Sequence, residues 1–290
     1  MSTLVENVAK VTAAHAALKT AIAAKGVAVP DGTKLSAMPA LVEQIQTGGA
    51  TEPTNPRAIF AYDPSATIVV PKMMVVDLTA ATDLGYSFAY CSLTSLSLPA
   101  GFGQNAINLS SCFTGDGKLT SLLLPAGFGQ AATNLYGCFL SCRSLTQLAI
   151  PDGFGQNAIN LHYCFNSCSS LTSLSLPAGF GQAAVYAHYC FNSCSSLTSL
   201  SLPAGFGQNA INLSGCFTGC TALKTITGNP NFKVSFSLSD STELTHDSLM
   251  VVINGLQTVT GQTLTLGTTN LAKLTDEEKK VATDKGWTLA

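Results

Sequence analysis

Pro99, Pro125, Pro151, Pro177 and Pro203 follow one another at intervals of 26 residues, and nothing else in the chain restricts its fold as strongly. The same interval separates Phe102, Phe128, Phe154, Phe180 and Phe206, and Leu93, Leu119, Leu145, Leu171, Leu197 and Leu223. A fixed period in the range of about 20–50 residues is the signature of a stacked repeat. One such unit cannot bury its own apolar face, so each requires a neighbour on either side. The expected architecture is a solenoid, and its function is to be sought on the surface the solenoid displays.

The unit can be read from Leu171 to Ser196, LTSLSLPAGFGQAAVYAHYCFNSCSS. Its opening L-x-x-L-x-L-P predicts a short strand with Leu171, Leu174 and Leu176 turned inward and Ser173 and Ser175 outward. Proline closes the strand, and Gly-Phe-Gly supplies a turn with Phe on the core side. Asn108, Asn134, Asn160 and Asn212 fit an internal ladder that bonds backbone groups left unpaired at the turn. The fourth repeat departs from this pattern, with Val185-Tyr186-Ala187 where others have Ile-Asn-Leu.

Nine of the ten cysteines fall in columns. Cys112, Cys138, Cys164, Cys190 and Cys216 form the first; Cys142, Cys168, Cys194 and Cys220 form the second, where Asp116 replaces a member and Cys91 belongs to a shortened first repeat. Small buried thiols packing as hydrophobes account for both columns. Zinc is the competing reading of the C-x3-C pairs, but no second pair or histidine closes a four-ligand site, so no metal is expected.

Outside the repeats, residues 1–47 read as helical. Leu4, Val8, Val11, His15, Leu18 and Ile22 alternate spacings of four and three, an apolar seam over nearly three heptads. Gly26 and Pro30-Asp31-Gly32 interrupt it, and a second helix is expected around Leu35 to Gln46. This segment either packs on its own chain or forms an oligomerising stem, with a homotrimer as one outcome. His15 either sets the register of that seam or is tolerated in it. Residues 48–57, GGATEPTNPR, form a linker. Residues 58–92 read as an N-terminal cap, whose AATDLGYSF (80–88) is a degraded copy of NAINLSSCF (105–113). Repeats occupy 93–228. Residues 229–290 read as an α/β C-terminal cap: a helix over Leu244 to Gln257 with Thr245 as N-cap, a strand at Thr263 to Leu266, a helix capped by Thr275 with acids in its first turn, and a last strand at Trp287 to Leu289.

Charge narrows the function. Charged residues are only 10% of the chain and the net charge is −2. Between Leu93 and Thr227 they are Asp116, Lys118, Arg143, Asp152 and Lys224. Nucleic acid, whose phosphates demand Lys and Arg, is therefore not an expected partner, nor is an anionic membrane surface. No run of 18 apolar residues exists, so membrane insertion is not expected. Glu6 and Lys10 stand where a secretory signal would carry its apolar core, so none is expected.

The run CFNSCSSLTSLSLP (164–177, repeated at 190–203) resembles the BspA-like leucine-rich repeats of bacterial surface proteins, which read A-F-x-x-C-x-x-L-x-x-I-x-I-P. The likeness covers roughly residues 80–228 and implies a β-rich repeat solenoid of leucine-rich-repeat type. The ending TLTLGTTNLAKLTDEEKKVATDKGWTLA looks like a segment that follows such repeats in gut Bacteroidales and their phages. The opening VTAAHAALKTAIAAKG…LSAMPALVEQI is similar to those of phage tail-fibre-like proteins. These resemblances imply adhesion or receptor binding, located on a virion or at a cell surface.

Catalytic chemistry is not expected. The repeats hold Asp116 and Asp152 as their acids, so no Ser-His-Asp arrangement and no flanking carboxylate pair can be assembled there. Gly-Phe-Gly-Gln lacks the lysine and spacing of a phosphate loop, and no cofactor is implied. His162 and His188, one repeat apart, are expected to stack about 5 Å apart on adjacent strands. The pairs before each first-column cysteine vary: Ser110-Ser111, Tyr136-Gly137, His162-Tyr163, His188-Tyr189 and Ser214-Gly215. So do the pairs after Cys-Phe, which include Asn166 and Asn192. Variation amid otherwise copied repeats marks positions the core does not dictate. They are either a tolerant polar face or a binding face written in the Tyr, Ser, Gly, Asn and His of paratopes. The binding reading places Tyr136, His162, Tyr163, Tyr186, His188 and Tyr189 in one stripe, with Asn166 and Asn192 beside it. Being almost uncharged, the stripe suits a cell-surface glycan or a protein receptor. A structural spacer is the remaining alternative.

Overall fold

The computed structural model describes residues 81–91 and 93–290. The expected helices of residues 1–47, their trimer, the linker 48–57 and most of the N-terminal cap 58–92 lie outside the described residues.

All the repeats but one contribute a short parallel strand. β1 (Ser95–Ser97) pairs with β2 (Ser121–Leu123), and β3 (Ser173–Ser175), β4 (Ser199–Leu202) and β5 (Thr225–Gly228) form a second parallel sheet. Register follows the repeat: Leu96 lies opposite Leu122, Leu174 opposite Leu200 and Leu200 opposite Ile226. Leu174 is buried while Ser173 and Ser175 face outward, as the two-residue alternation of a strand requires. Between β2 and β3, Gln147–Ala149 do not form the expected strand, although Leu148 still sits in the core. A ladder three residues long is lost when one pair of its hydrogen bonds opens.

On the opposite side of each turn the chain is held by a column of parallel bridges, Asp83–Asn108–Asn134–Asn160–Tyr186–Asn212. The asparagine amides form the expected ladder in part. Asn134 Nδ2 donates to Asn108 Oδ1 at 3.1 Å, and Asn108 Nδ2 to Asp83 Oδ1 at 2.9 Å. Each oxygen also receives the backbone N–H two residues on, as from Tyr136 to Asn134 and from His162 to Asn160.

Two columns of phenylalanine fill the space between these walls. Phe88, Phe113, Phe139, Phe165, Phe191 and Phe217 stack along the axis, with centroids 5.3 Å apart from Phe113 to Phe139 and again from Phe139 to Phe165. Phe102, Phe128, Phe154, Phe180 and Phe206, carried by Gly-Phe-Gly, stack beside them. The second glycine of that turn is required: at Gly155, φ is 67° and a Cβ would stand 2.7 Å from the Phe180 ring. All ten cysteines are buried, and none is joined in a disulfide among the described residues. Those of the second column donate to a phenylalanine carbonyl of the preceding turn, as Cys168 Sγ does to Phe139 O at 3.2 Å.

Beyond β5 the aromatic stack turns edge-on: Phe232 meets Phe206 at 83° and Phe217 at 87°. Groups that a further repeat would have bonded find side chains instead. Ser241 Oγ donates to Cys220 O, and Gly219 N–H donates to Asp240 Oδ2. The terminal segment forms a parallel sheet of β6 (Phe236–Ser237), β7 (Gln262–Thr265) and β8 (Trp287–Leu289), with helices α1 (His246–Asn254), α2 (Gly267–Leu271) and α3 (Asp276–Asp284). Thr245 caps α1, and Thr275 with Glu278 forms a capping box on α3. α2 and β6 have no counterpart in the expectations drawn from sequence; α2 is five residues long and has no side-chain cap.

Candidate recognition surface

The segment around each Cys-Phe is shaped by its backbone. Leu109, Ser111, Phe113 and Gly115 donate their N–H groups forward, to the carbonyls of Asn134, Tyr136, Cys138 and Leu140 in the next turn. Cys112, Thr114 and Asp116, interleaved with them, close local turns onto Leu109, Ser111 and Phe113. That alternation places two residues of every repeat in the left-handed region. One column holds Tyr86, Ser111, Gly137, Tyr163, Tyr189 and Gly215; the other holds Tyr90, Gly115, Ser141, Ser167, Ser193 and Gly219.

Tyrosine is an unexpected occupant of such a position. Left-handed backbone costs an L-residue roughly 1–2 kcal/mol, and a bulky side chain there is an outlier. Yet Tyr163 has φ 59°, Tyr189 55°, and Tyr86 and Tyr90 both 60°. Gly137 and Gly215 show that the same column accepts glycine. Strain of this kind, kept where a cheaper residue fits, is a reason to look for function.

Five rings meet on this face. Tyr163 stacks on Tyr189 at 5.2 Å and 14°. Tyr136 stands edge-on to both His162, at 5.2 Å, and Tyr163, at 5.9 Å. His162 lies 3.9 Å from Tyr163 and 3.2 Å from His188. The imidazoles are thus nearer than the 5 Å turn spacing suggests, because the rings tilt toward each other, at an interplanar angle of 36°. His162 Nε2 and His188 Nδ1 are buried and have no hydrogen-bond partner among the described residues. Loss of water holds both imidazoles below their ordinary pKa, and the neighbouring His188 lowers His162 further, to about 4. Both are therefore neutral at pH 7, and the face presents uncharged rings, phenol hydroxyls and imidazole nitrogens.

The other three candidates are placed differently. Tyr186 is 44% exposed but stands in the asparagine column between Asn160 and Asn212. No ring contact joins it to the five among the described residues. Asn166 is buried; its Nδ2 donates to Asn192 Oδ1 at 2.9 Å, and its own Oδ1 accepts from Ser167 Oγ. Asn192 Nδ2 continues the chain to Thr218 O. The backbone N–H groups of Asn166 and Asn192 donate to the carbonyls of Tyr163 and Tyr189, which ties this amide run to the face. Sequence reasoning passed over Tyr86 and Tyr90, exposed by 44% and 67% in the same two columns. The copy relation of AATDLGYSF to NAINLSSCF was the signal for them, because it sets Tyr86 against Ser111.

No group of three or more His, Cys, Asp or Glu that could hold a metal ion exists among the described residues. The thiols are buried, and their pKa values are pushed up by loss of water. No helix among the described residues is long and apolar enough to cross a membrane.

Residues 84–204 and 137–246 match the BspA type leucine-rich repeat region, in six copies. Among solved structures, a leucine-rich repeat protein of T. pallidum is 26% identical over 59% of this chain and 74% of its own, with a TM-score of 0.44. A leucine-rich cell surface protein of Faecalibacterium prausnitzii A2-165 is 18% identical over 50% of this chain and 28% of its own, with a TM-score of 0.27. No curated protein matches the chain.

Proposed function

The chain belongs to the BspA-type leucine-rich repeat family, and we propose that it is a non-enzymatic recognition protein that attaches to a glycan or protein receptor at a cell surface. In this reading copies of a 26-residue unit, closed by residues 229–290 as a cap, hold the rings of Tyr136, His162, Tyr163, His188 and Tyr189 in one preformed face. The observation that carries it is the pair Tyr163 and Tyr189, both in left-handed backbone and stacked on each other. Rigid aromatic area offers contact at little entropic loss, and the absence of charge around it suits a neutral partner.

The finer assignment is a receptor-binding or tail-fibre-type protein of a phage. Its support is the heptad seam from Leu4 to Ile22 and the likeness of the opening segment to tail-fibre-like proteins. An adhesin of the BspA type, exposed at a bacterial surface, is the alternative within the same function. Two measurements test the proposal. Labelled full-length protein is expected to attach saturably to intact bacterial cells, and no saturable attachment to any cell type argues for a spacer. The solution mass of the full chain, set beside one starting at Thr51, separates the two assignments: a trimer that falls to a monomer supports the fibre, and two monomers support the adhesin.

A further inference from the structure

We propose a second binding site, for a neutral, hydroxyl-rich ligand of about one sugar ring, in the cleft between the last repeat and the segment that follows β5. The cleft has a volume of about 380 Å³, at the small end of the range of about 300–1,000 Å³ found for ligand sites. Five primary amides line it: Gln182, Gln208, Asn229, Asn231 and Asn254. Each carboxamide carries two donor hydrogens and an acceptor oxygen, and the side chains of Gln182, Asn229 and Asn254 are exposed.

Chemistry selects the ligand. A carboxamide both donates and accepts, as a hydroxyl does, so a lining of amides matches a polyol better than a one-sided donor or acceptor. No charged residue lines the cleft, so it offers no countercharge to a sulfate, carboxylate or ammonium group. Lys285 is not part of that lining; its Nζ donates instead to the carbonyls of Ile253 and Asn254, at 3.1 and 2.7 Å. The lining contains little apolar surface, so an aliphatic or aromatic ligand would gain little by entering.

The walls are fixed in advance of any ligand. Asn229 N–H donates to Leu202 O and its carbonyl accepts from Gly205 N–H; Asn231 N–H donates to Phe206 O, and Phe232 N–H to Gly255 O. Gln257 Nε2 bridges the two sides, reaching Gln208 O and Asn231 O at 3.2 Å each. Gly255 lets the wall close on Pro230, since a Cβ there would stand 2.7 Å from the Pro230 carbonyl oxygen. Preformed walls reduce the ordering entropy a weak ligand must overcome.

Sugar binding in the cleft does not require the aromatic face, and the following experiment leaves that face intact. Galactose, glucose, mannose and N-acetylglucosamine, with glucuronate as a charged control, are titrated into 15N-labelled full-length protein, and the side-chain amide resonances are followed. At least one neutral sugar is expected to shift resonances of the cleft with millimolar affinity, and glucuronate to shift none. Asn229→Ala and Asn254→Ala, both at exposed side chains, are expected to weaken that binding about tenfold each, the scale of one or two lost hydrogen bonds. Absence of shifts with every neutral sugar up to roughly 100 mM overturns the proposal. So do shifts that survive both substitutions, or shifts that glucuronate reproduces.

Discussion

The ring of Tyr189 lies over the α-carbon of Gly215 in the next turn, so closely that a Cβ built on Gly215 would collide with the ring. Tyr90 covers Gly115 in the same way. Each tyrosine thus leans along the solenoid axis onto the following repeat, and the missing side chain there is what lets it. In the middle of the face the following residue is itself a tyrosine, and Tyr163 stacks on Tyr189 instead. The face is therefore built by pairs of adjacent repeats.

Gly215→Ala should be markedly worse than Gly137→Ala. Both put a side chain on left-handed backbone, at about 1–2 kcal/mol. At Gly137 a Cβ meets nothing nearer than Ser111 Oγ at 3.4 Å, whereas at Gly215 it must displace the Tyr189 ring. Denaturant titration of the two variants is expected to place Gly215→Ala about 1 kcal/mol or more below Gly137→Ala, counting the aromatic contact disturbed. Equal losses would mean that the Tyr189 ring moves aside freely.

Tyr189→Gly is expected to change stability by no more than about 1 kcal/mol, because relief of the left-handed backbone offsets the lost ring contacts. Phe191, two residues on and fully buried between Phe165 and Phe217, is expected to lose about 3–5 kcal/mol on substitution by alanine. A Tyr189→Gly loss as large as that of Phe191→Ala would make the tyrosine a core residue and remove the argument from strain.

The solenoid itself was open to reading in the sequence because its signal is repeated. Leucines at alternate positions, the Gly-Phe-Gly turns and the cysteine columns each recur, and their burial follows from apolar spacing alone. Thr245, Thr275 and Trp287 also declared themselves, through local capping and pattern. The left-handed columns did not, because Ser, Gly and Tyr share them and no residue type marks the backbone state. Asn166 and Asn192 are candidates for ligand contact by sequence, but two amides one turn apart bond each other instead. Tyr186 seemed part of the stripe because its residue type fits; its position two residues earlier puts it in the asparagine column instead.

Stability should fall as the solution is acidified from about pH 6.5, the ordinary histidine value, toward about 4, the value of His162. The imidazoles of His162 and His188 are lowered by burial, so the unfolded chain takes up their protons first and is favoured across that window. Above about pH 6.5 the contribution is complete. His246 acts in the opposite sense, since Glu278 and Asp247 raise its pKa. Replacing His162 and His188 together by glutamine is expected to flatten the fall between these limits in denaturant titrations. An unchanged slope would show that the imidazole pair is not its source.

The cysteines should be chemically silent while the chain is folded. Every thiol is buried, and Cys91 and Cys220 are pushed up to about 11 and about 12 by burial and by nearby carboxylates; the nucleophile is the thiolate. A thiol reagent is expected to label essentially none of the ten in native protein and all ten after denaturation. Rapid native labelling of Cys142, Cys168 or Cys194 would contradict their place in the interior.

The most direct test of recognition by the aromatic face is an array of immobilised cell-surface glycans and envelope proteins, probed with the wild-type chain and with Tyr163→Ser/Tyr189→Ser. Serine already occupies the same left-handed column at Ser111, so the variant is expected to fold. The account predicts wild-type binding to at least one arrayed target and a loss of tenfold or more in the variant, the scale of one aromatic anchor. Binding that the double substitution leaves unchanged would contradict it.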